Sequence, residues 1–130
     1  MIGNYGISKE ANESIKIQVA GLVVRQHCEE PSHADSKMSI SDFLHSQDVT
    51  AISEIDTRAL TRHIRKKGVM MGTIVTNPNI DEATTDLAKI TPYGNLDYVQ
   101  RVTTKDPYQW ENPATNKIKI LVADFGLKYN

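Results

Sequence analysis

The chain has 130 residues, 39% hydrophobic and 24% charged, enough for one domain with its own core and too apolar for disorder to be the default. Fifteen basic and sixteen acidic side chains leave a formal charge of −1, which argues against a nucleic-acid binder or a polybasic membrane protein. The lone cysteine, Cys28, cannot form an internal disulfide, and no apolar run approaches the roughly 20 residues of a membrane helix.

A reducing, cytoplasmic compartment is expected, with a mitochondrial one left open for a eukaryotic source. Met1-Ile2-Gly3-Asn4-Tyr5-Gly6 has no basic region followed by an apolar stretch, so it does not read as a signal peptide. Without a secretory signal, the acceptor pattern Asn12-Glu13-Ser14 is a chance match.

Ile15, Ile17 and Val19 alternate with Lys16, Gln18 and Ala20 and run into Leu22-Val23-Val24. This predicts a strand over about 15–25, half solvated at first and then buried. Gly21 within it marks either a bulge or a close backbone approach. A polar connection with Pro31 follows, from His27 to Lys37. Ser39 then precedes Ile40, Phe43 and Leu44, with Asp42 three positions on, the pattern of a capped helix start. That helix is expected to end near Asp48. Val49 to Ile55 reads as a short strand with Val49, Ala51 and either Ile52 or Ile55 inward.

The run Ile55-Asp56-Thr57-Arg58-Ala59-Leu60-Thr61-Arg62-His63-Ile64-Arg65-Lys66-Lys67-Gly68 holds a start, a basic helix and a stop. Asp56 is the expected cap, since its carboxylate accepts from free first-turn N–H groups and complements the helix dipole. Ile55 and Leu60 are spaced as a hydrophobic staple, Leu60 and Ile64 as the buried stripe. Arg65, Lys66 and Lys67 fall in the last turn, where cations are favoured, and Gly68 supplies the left-handed stop.

Val69 to Val75 predicts a second buried strand. Asn77-Pro78-Asn79 is a turn, Asp81 the cap of a helix through about Lys89, Pro92-Tyr93-Gly94-Asn95 a turn, and Leu96–Gln100 a short helix. Thr103 to Lys117, with Pro107 and Pro113, reads as a linker. Ile118-Lys119-Ile120-Leu121-Val122-Ala123 predicts a strand of the doubly covered, parallel kind, followed at once by the tight turn Asp124-Phe125-Gly126. The element order suggests a mixed α/β layer domain followed by the first strand of a second unit.

Reactive constellations are sparse. His27, His33, His45 and His63 are scattered, and His27-Cys28 with His33 lacks the fourth ligand of a closed zinc site. Glu29 and Glu30 disfavour a thiolate at Cys28, so it reads as an ordinary thiol. Arg58, Arg62 and Arg65, at i, i+4 and i+7, share a helix face that is either solvated or a contact for a protein partner. Asp124-Phe125-Gly126 resembles the magnesium triad of protein kinases, but no H-R-D loop or glycine-rich loop accompanies it. The carboxylates Glu29-Glu30 and Asp81-Glu82 read as loop or capping groups. Neither a phosphate-cradling loop nor a dinucleotide fingerprint is present in the sequence.

Five segments, in order across almost the whole chain, nevertheless share a pattern: Ile2-Gly3-Asn4-Tyr5-Gly6-Ile7, Gly21-Leu22-Val23-Val24-Arg25, Ile55 to Arg65, Gly68 to Gly72, and Asp124 to Asn130. Together they resemble the small, glutamine-handling subunit of carbamoyl phosphate synthetase, the Ile55–Arg65 run most specifically. The resemblance implies an α/β fold, a layered β/β/α domain of the swivelling type over 1–102, truncated at its start. A linker over 103–117 and, over 118–130, the first strand and turn of a class I glutamine amidotransferase domain would follow.

In that family the amidotransferase domain hydrolyses glutamine with a cysteine nucleophile, a histidine base and a glutamate. The ammonia passes to a large subunit, separate or fused, which uses ATP, bicarbonate and magnesium to make carbamoyl phosphate for pyrimidine and arginine synthesis. The nucleophile elbow and its partners are expected beyond Asn130, and glutamine is reached only through segments outside this stretch. The resemblance therefore carries no catalytic, cofactor-binding or metal-binding residue onto these positions. It implies a scaffolding and docking fragment with the large subunit as partner, no nucleic acid, no membrane, and a tendency to self-associate through exposed sheet edges. The alternative is a stand-alone, non-catalytic binding or regulatory module derived from the same domain.

Overall fold

The computed structural model describes residues 5–8, 11–76, 79–110 and 118–128. The Ile2-Gly3-Asn4 part of the first motif, Asn77 and Pro78 of the expected turn, and 111–117 of the expected linker lie outside the described residues. Two short strands and four helices follow one another: β1 (Gly21–Val23), α1 (Ile40–Ser46), β2 (Thr50–Ile52), α2 (Thr57–Lys67), α3 (Ile80–Lys89) and α4 (Tyr98–Val102). A 3-10 turn over Tyr93–Asn95 precedes α4.

The centre is a small α/β unit. β1 and β2 pair in parallel, with Gly21 opposite Thr50, Leu22 opposite Ala51 and Val23 opposite Ile52. Parallel neighbours need a crossover, and α1 supplies it. Backbone pairing continues past the strand ends: Val24 N–H donates to the Ile52 carbonyl at 2.9 Å and Glu54 N–H to that of Arg25 at 3.1 Å. α1 starts where expected, with Ser39 Oγ accepting from Asp42 N–H at 3.1 Å. It ends through Asp48, whose positive φ of 57° is one that Asp tolerates. Val49 N–H then donates to the Leu44 carbonyl at 2.9 Å and turns the chain into β2. Val24 and Leu44, 7% and 8% exposed, are the buried apolar side chains among the described residues.

Gly21 marks a close approach. A Cβ there would lie 3.0 Å from Ile74 Cδ1 and 3.2 Å from the Thr50 carbonyl oxygen. Ile74 accordingly is half-buried, although its neighbours Val69, Met70, Met71 and Val75 are exposed.

Several expected elements differ, for one recurring reason: a pattern that fits a strand forms one only where a second backbone pairs with it. The strand expected over 15–25 shrinks to Gly21–Val23. In its first half Ile17 N–H donates instead to the side-chain Oε1 of Gln47 at 2.7 Å, and Ile15 stays 84% exposed. The stretch 69–75 and the stretch 118–123 run without a ladder, and Leu121 is 98% exposed. The expected first strand of a second unit is thus extended chain without a partner among the described residues.

β2 forms within the expected 49–55, but Ala51 is exposed rather than inward. The cap of α3 is Asn79, whose Oδ1 accepts from Glu82 N–H at 3.2 Å, with Asp81 the second residue of the helix, in its first turn. α4 begins two residues later than expected, because Asp97 caps it by accepting from Gln100 N–H at 2.9 Å.

The accessible surface is 11715 Å². A compact monomer of 14.5 kDa would expose about 6900 Å². Exposed large apolar side chains recur along the described residues, from Tyr5 to Leu127.

Truncating Leu44 to alanine is expected to cost about 2–4 kcal/mol. Ser39→Ala should cost about 1 kcal/mol through the lost cap, and Ile15→Ala less than about 0.5 kcal/mol. Urea midpoints give the order; a loss at Ile15 equal to that at Leu44 would contradict this core.

Candidate functional site

The most sharply specified surface is α2. Asp56 Oδ1 accepts from Ala59 N–H at 2.9 Å, and Gly68, at φ 84°, closes the helix by donating to the Ile64 carbonyl at 2.7 Å. Both expected ends are therefore in place, and Arg65, Lys66 and Lys67 occupy the last turn. Arg58, Arg62 and Arg65 are exposed, and among the described residues no carboxylate pairs with them.

Leu60 and Ile64 differ from expectation. They are 40% and 42% exposed, because no described element covers the face that carries them. The helix thus presents cations and an apolar stripe together, and exposed Val69, Met70 and Met71 follow directly in the chain. The arginines lie on the side of α2 opposite Leu60 and Ile64, and the part-exposed aliphatic stripe followed by exposed methionines has the composition of a protein contact.

The scattered nucleophiles and metal donors remain apart. His27 Nε2 lies 3.4 Å from Ser41 Oγ. The exposed Cys28 thiol donates to the Glu30 carbonyl at 3.4 Å. His33 accepts from Asp35 N–H at 3.2 Å and stands edge-on to Tyr5. His45 ends α1, and His63 sits exposed on α2. Among the described residues no three His, Cys, Asp or Glu side chains gather closely enough to hold a metal ion. No described helix is long and apolar enough to cross a membrane.

A second ordered feature is the turn at Asp124. Its Oδ1 accepts from Gly126 N–H at 2.8 Å and from Leu127 N–H at 2.7 Å. Gly126 adopts φ 114°, a value that suits glycine. The other oxygen, Oδ2, accepts from the Tyr108 hydroxyl at 2.7 Å, sixteen positions earlier. The turn itself was legible, since Asp before Phe-Gly after an apolar run is an Asx-turn pattern. Tyr108 was not: it sits in a proline-containing stretch with no local periodicity, and only the folded chain brings it to Asp124. Gln47, which holds the backbone of Ile17, was missed for the same reason.

Comparison with known proteins defines the class to which this arrangement belongs. Residues 1–74 match the family described as carbamoyl-phosphate synthase small chain, CPSase domain. The carbamoyl phosphate synthase small chain of Solidesulfovibrio magneticus is 39% identical over 144 residues, covering 99% of this chain and 38% of its own length. That of Lawsonia intracellularis is 38% identical over 148 residues, covering 100% and 39%. That of Bacillus anthracis is 36% identical over 129 residues, covering 99% and 34%. The chain belongs to the carbamoyl-phosphate synthase small chain family, and it spans less than two fifths of the length of these relatives.

The Tyr108 hydroxyl, then the Leu127 and Gly126 N–H groups, hold the Asp124 carboxyl below the usual carboxylate range. A carboxyl whose folded pKa is depressed adds stability above its unfolded pKa and loses that contribution as pH falls through the folded value. The turn is therefore expected to loosen only in acid, below the usual carboxylate range. Tyr108→Phe should move the Asp124 side-chain carboxyl titration, followed by NMR, upward. A wild-type titration at or above the usual range would contradict the assignment. Asp56→Ala should cost about 1 kcal/mol by uncapping α2.

Proposed function

We propose that this chain is the supporting and docking part of a small subunit of glutamine-hydrolysing carbamoyl phosphate synthase. The whole subunit would release ammonia from glutamine and pass it to the large synthetase subunit, or to a fused synthetase region, for pyrimidine and arginine synthesis. ATP, bicarbonate and magnesium would be handled by that large partner. The thiol, histidine and glutamate of glutamine hydrolysis would belong to a part of the protein other than these residues. In this reading the α/β unit around β1 and β2 is one piece of a β/β/α layered domain, with 103–117 as linker and 118–130 as the entry to the amidotransferase domain. A cytoplasmic setting accords with the single thiol.

One observation supports the docking role above the others. The chain leaves exposed a helix that is well formed rather than frayed, with Leu60 and Ile64 on one side and Arg58, Arg62 and Arg65 on the other. α2 is capped at both ends, yet Leu60 and Ile64 on it have no cover among the described residues. A helix made this regular with its apolar stripe bare is the form of a surface that packs against another body. The three arginines on the opposite side, each with a planar donor fork, suit acidic groups of whatever body flanks the helix there.

The purified chain should release no ammonia from glutamine, and Cys28→Ala should change nothing in that assay. Thiol-dependent ammonia release would overturn the proposal. Mixed with the large synthetase subunit, the chain should bind in calorimetry, and the pair Arg62→Glu with Ile64→Asp should weaken binding at least tenfold. Equal binding by wild type and variant would remove α2 from the docking surface. Absence of binding by the wild-type chain would favour a free-standing regulatory module.

A further inference from the structure

Thr103 and Thr104, which follow α4, and the turn at Asp124 come from separate parts of the sequence, yet they are joined at several points. Tyr108 Oη donates to Asp124 Oδ2 at 2.7 Å. Thr104 N–H donates to the Asp124 carbonyl at 3.4 Å. The backbone of Gly126 presses on α4 so closely that a Cβ there would lie 2.7 Å from Val102 Cγ2. Lys128 Nζ pairs with Glu13 Oε2 at 2.8 Å, tying the same turn to the chain before β1. Four contacts of different chemistry thus converge on one short turn, although the apolar stretch leading into it touches little and stays exposed.

We infer that the Asp124 turn is a latch that seats the segment after the linker on the end of α4, with Tyr108 as its bolt. The inference deepens the function proposed above. If 118–130 opens the amidotransferase unit, the latch is the interaction surface that fixes that unit's entry strand to the docking domain. The second unit would then be held by its first turn rather than by the strand before it.

The chemistry of the latch suits this task. The carboxylate works in two directions: Oδ1 holds its own turn through two backbone N–H groups, and Oδ2 reaches a different segment. The same side chain therefore shapes the turn and anchors it, so a change at Asp124 loses both at once. Tyr108→Phe removes the reach and spares the shape. The ring remains, along with its contact to Trp110 at 6.5 Å between centroids.

Trp110 is the single tryptophan of the chain and reports on this site without labelling. The test uses the full chain with Tyr108→Phe, Asp124→Ala and the double variant, read by Trp110 emission and by amide exchange. Tyr108→Phe is expected to speed exchange at Thr104, Gly126 and Leu127 at least fivefold and to shift Trp110 emission. Amides of β1, α1 and β2 should be unaffected. The double variant should exchange no faster than Asp124→Ala alone, since Asp124→Ala already removes the bond that Tyr108→Phe removes.

Unchanged exchange and emission in Tyr108→Phe, or additive effects in the double variant, would overturn the latch. Gly126→Ala is a second probe: it should release Thr104 by displacing the turn from Val102, and full protection of Thr104 in that variant would count against the latch. These readings are made on the chain alone, whereas the docking role is read by binding to the large subunit. Each can fail with the other intact.

Discussion

Apolar surface is in surplus in this chain, and that surplus governs the rest of the structure. Parallel pairing of β1 and β2, with α1 as crossover, buries only the apolar side chains Val24 and Leu44 among the described residues. Everything outside this unit must be ordered by other means: side-chain caps, an Asx turn, single tethers such as Gln47 to Ile17, and ion pairs such as Lys128 with Glu13. Burying an aliphatic side chain is worth about 1.5–3 kcal/mol, and much of that gain is left unused on α2, at 69–75 and at 118–122. Surface of that kind is stable in water only at a cost, and contact with another body removes the cost.

Local chemistry was readable from the sequence, and partnership was not. Asp56 and Gly68 announce the ends of α2, and Ser39 announces the start of α1, because a cap acts within three or four residues. The Asp124 turn is legible for the same reason. Strands depend on a second backbone that may lie anywhere in the chain, so periodicity at Ile15–Val19, Val69–Val75 and Ile118–Val122 named candidates without naming partners. Among the described residues Gly21–Val23 found its partner in Thr50–Ile52, and Ile74 touches it as a side chain without joining the sheet. The shift of one cap from Asp81 to Asn79 shows that where several short polar residues lie together, backbone geometry selects among them.

The functional reading follows the same division. The search for reactive groups found scattered histidines and an ordinary thiol, and the structure leaves them apart. The motif run through α2, by contrast, survives intact as a capped helix with cations on one face and Leu60 and Ile64 bare. Family membership then gives that face a context: a domain in a small chain of carbamoyl-phosphate synthase, matched over 1–74. The Lys128–Glu13 ion pair joins the residues after this region to it, and the Tyr108–Asp124 bond fixes the turn next to that pair, which explains how a stretch without sheet partners is still held at a defined place.

The most direct test is the heat-capacity change on unfolding the dilute chain, since that quantity scales with apolar surface buried. A compact chain of 130 residues would give about 1.6–2.0 kcal/mol/K. With an accessible surface of 11715 Å², the structure should give roughly two thirds of that, about 1.0–1.3 kcal/mol/K. A value in the full compact range would mean that the apolar side chains are already covered within the chain, and the account of α2 as a docking face would fail.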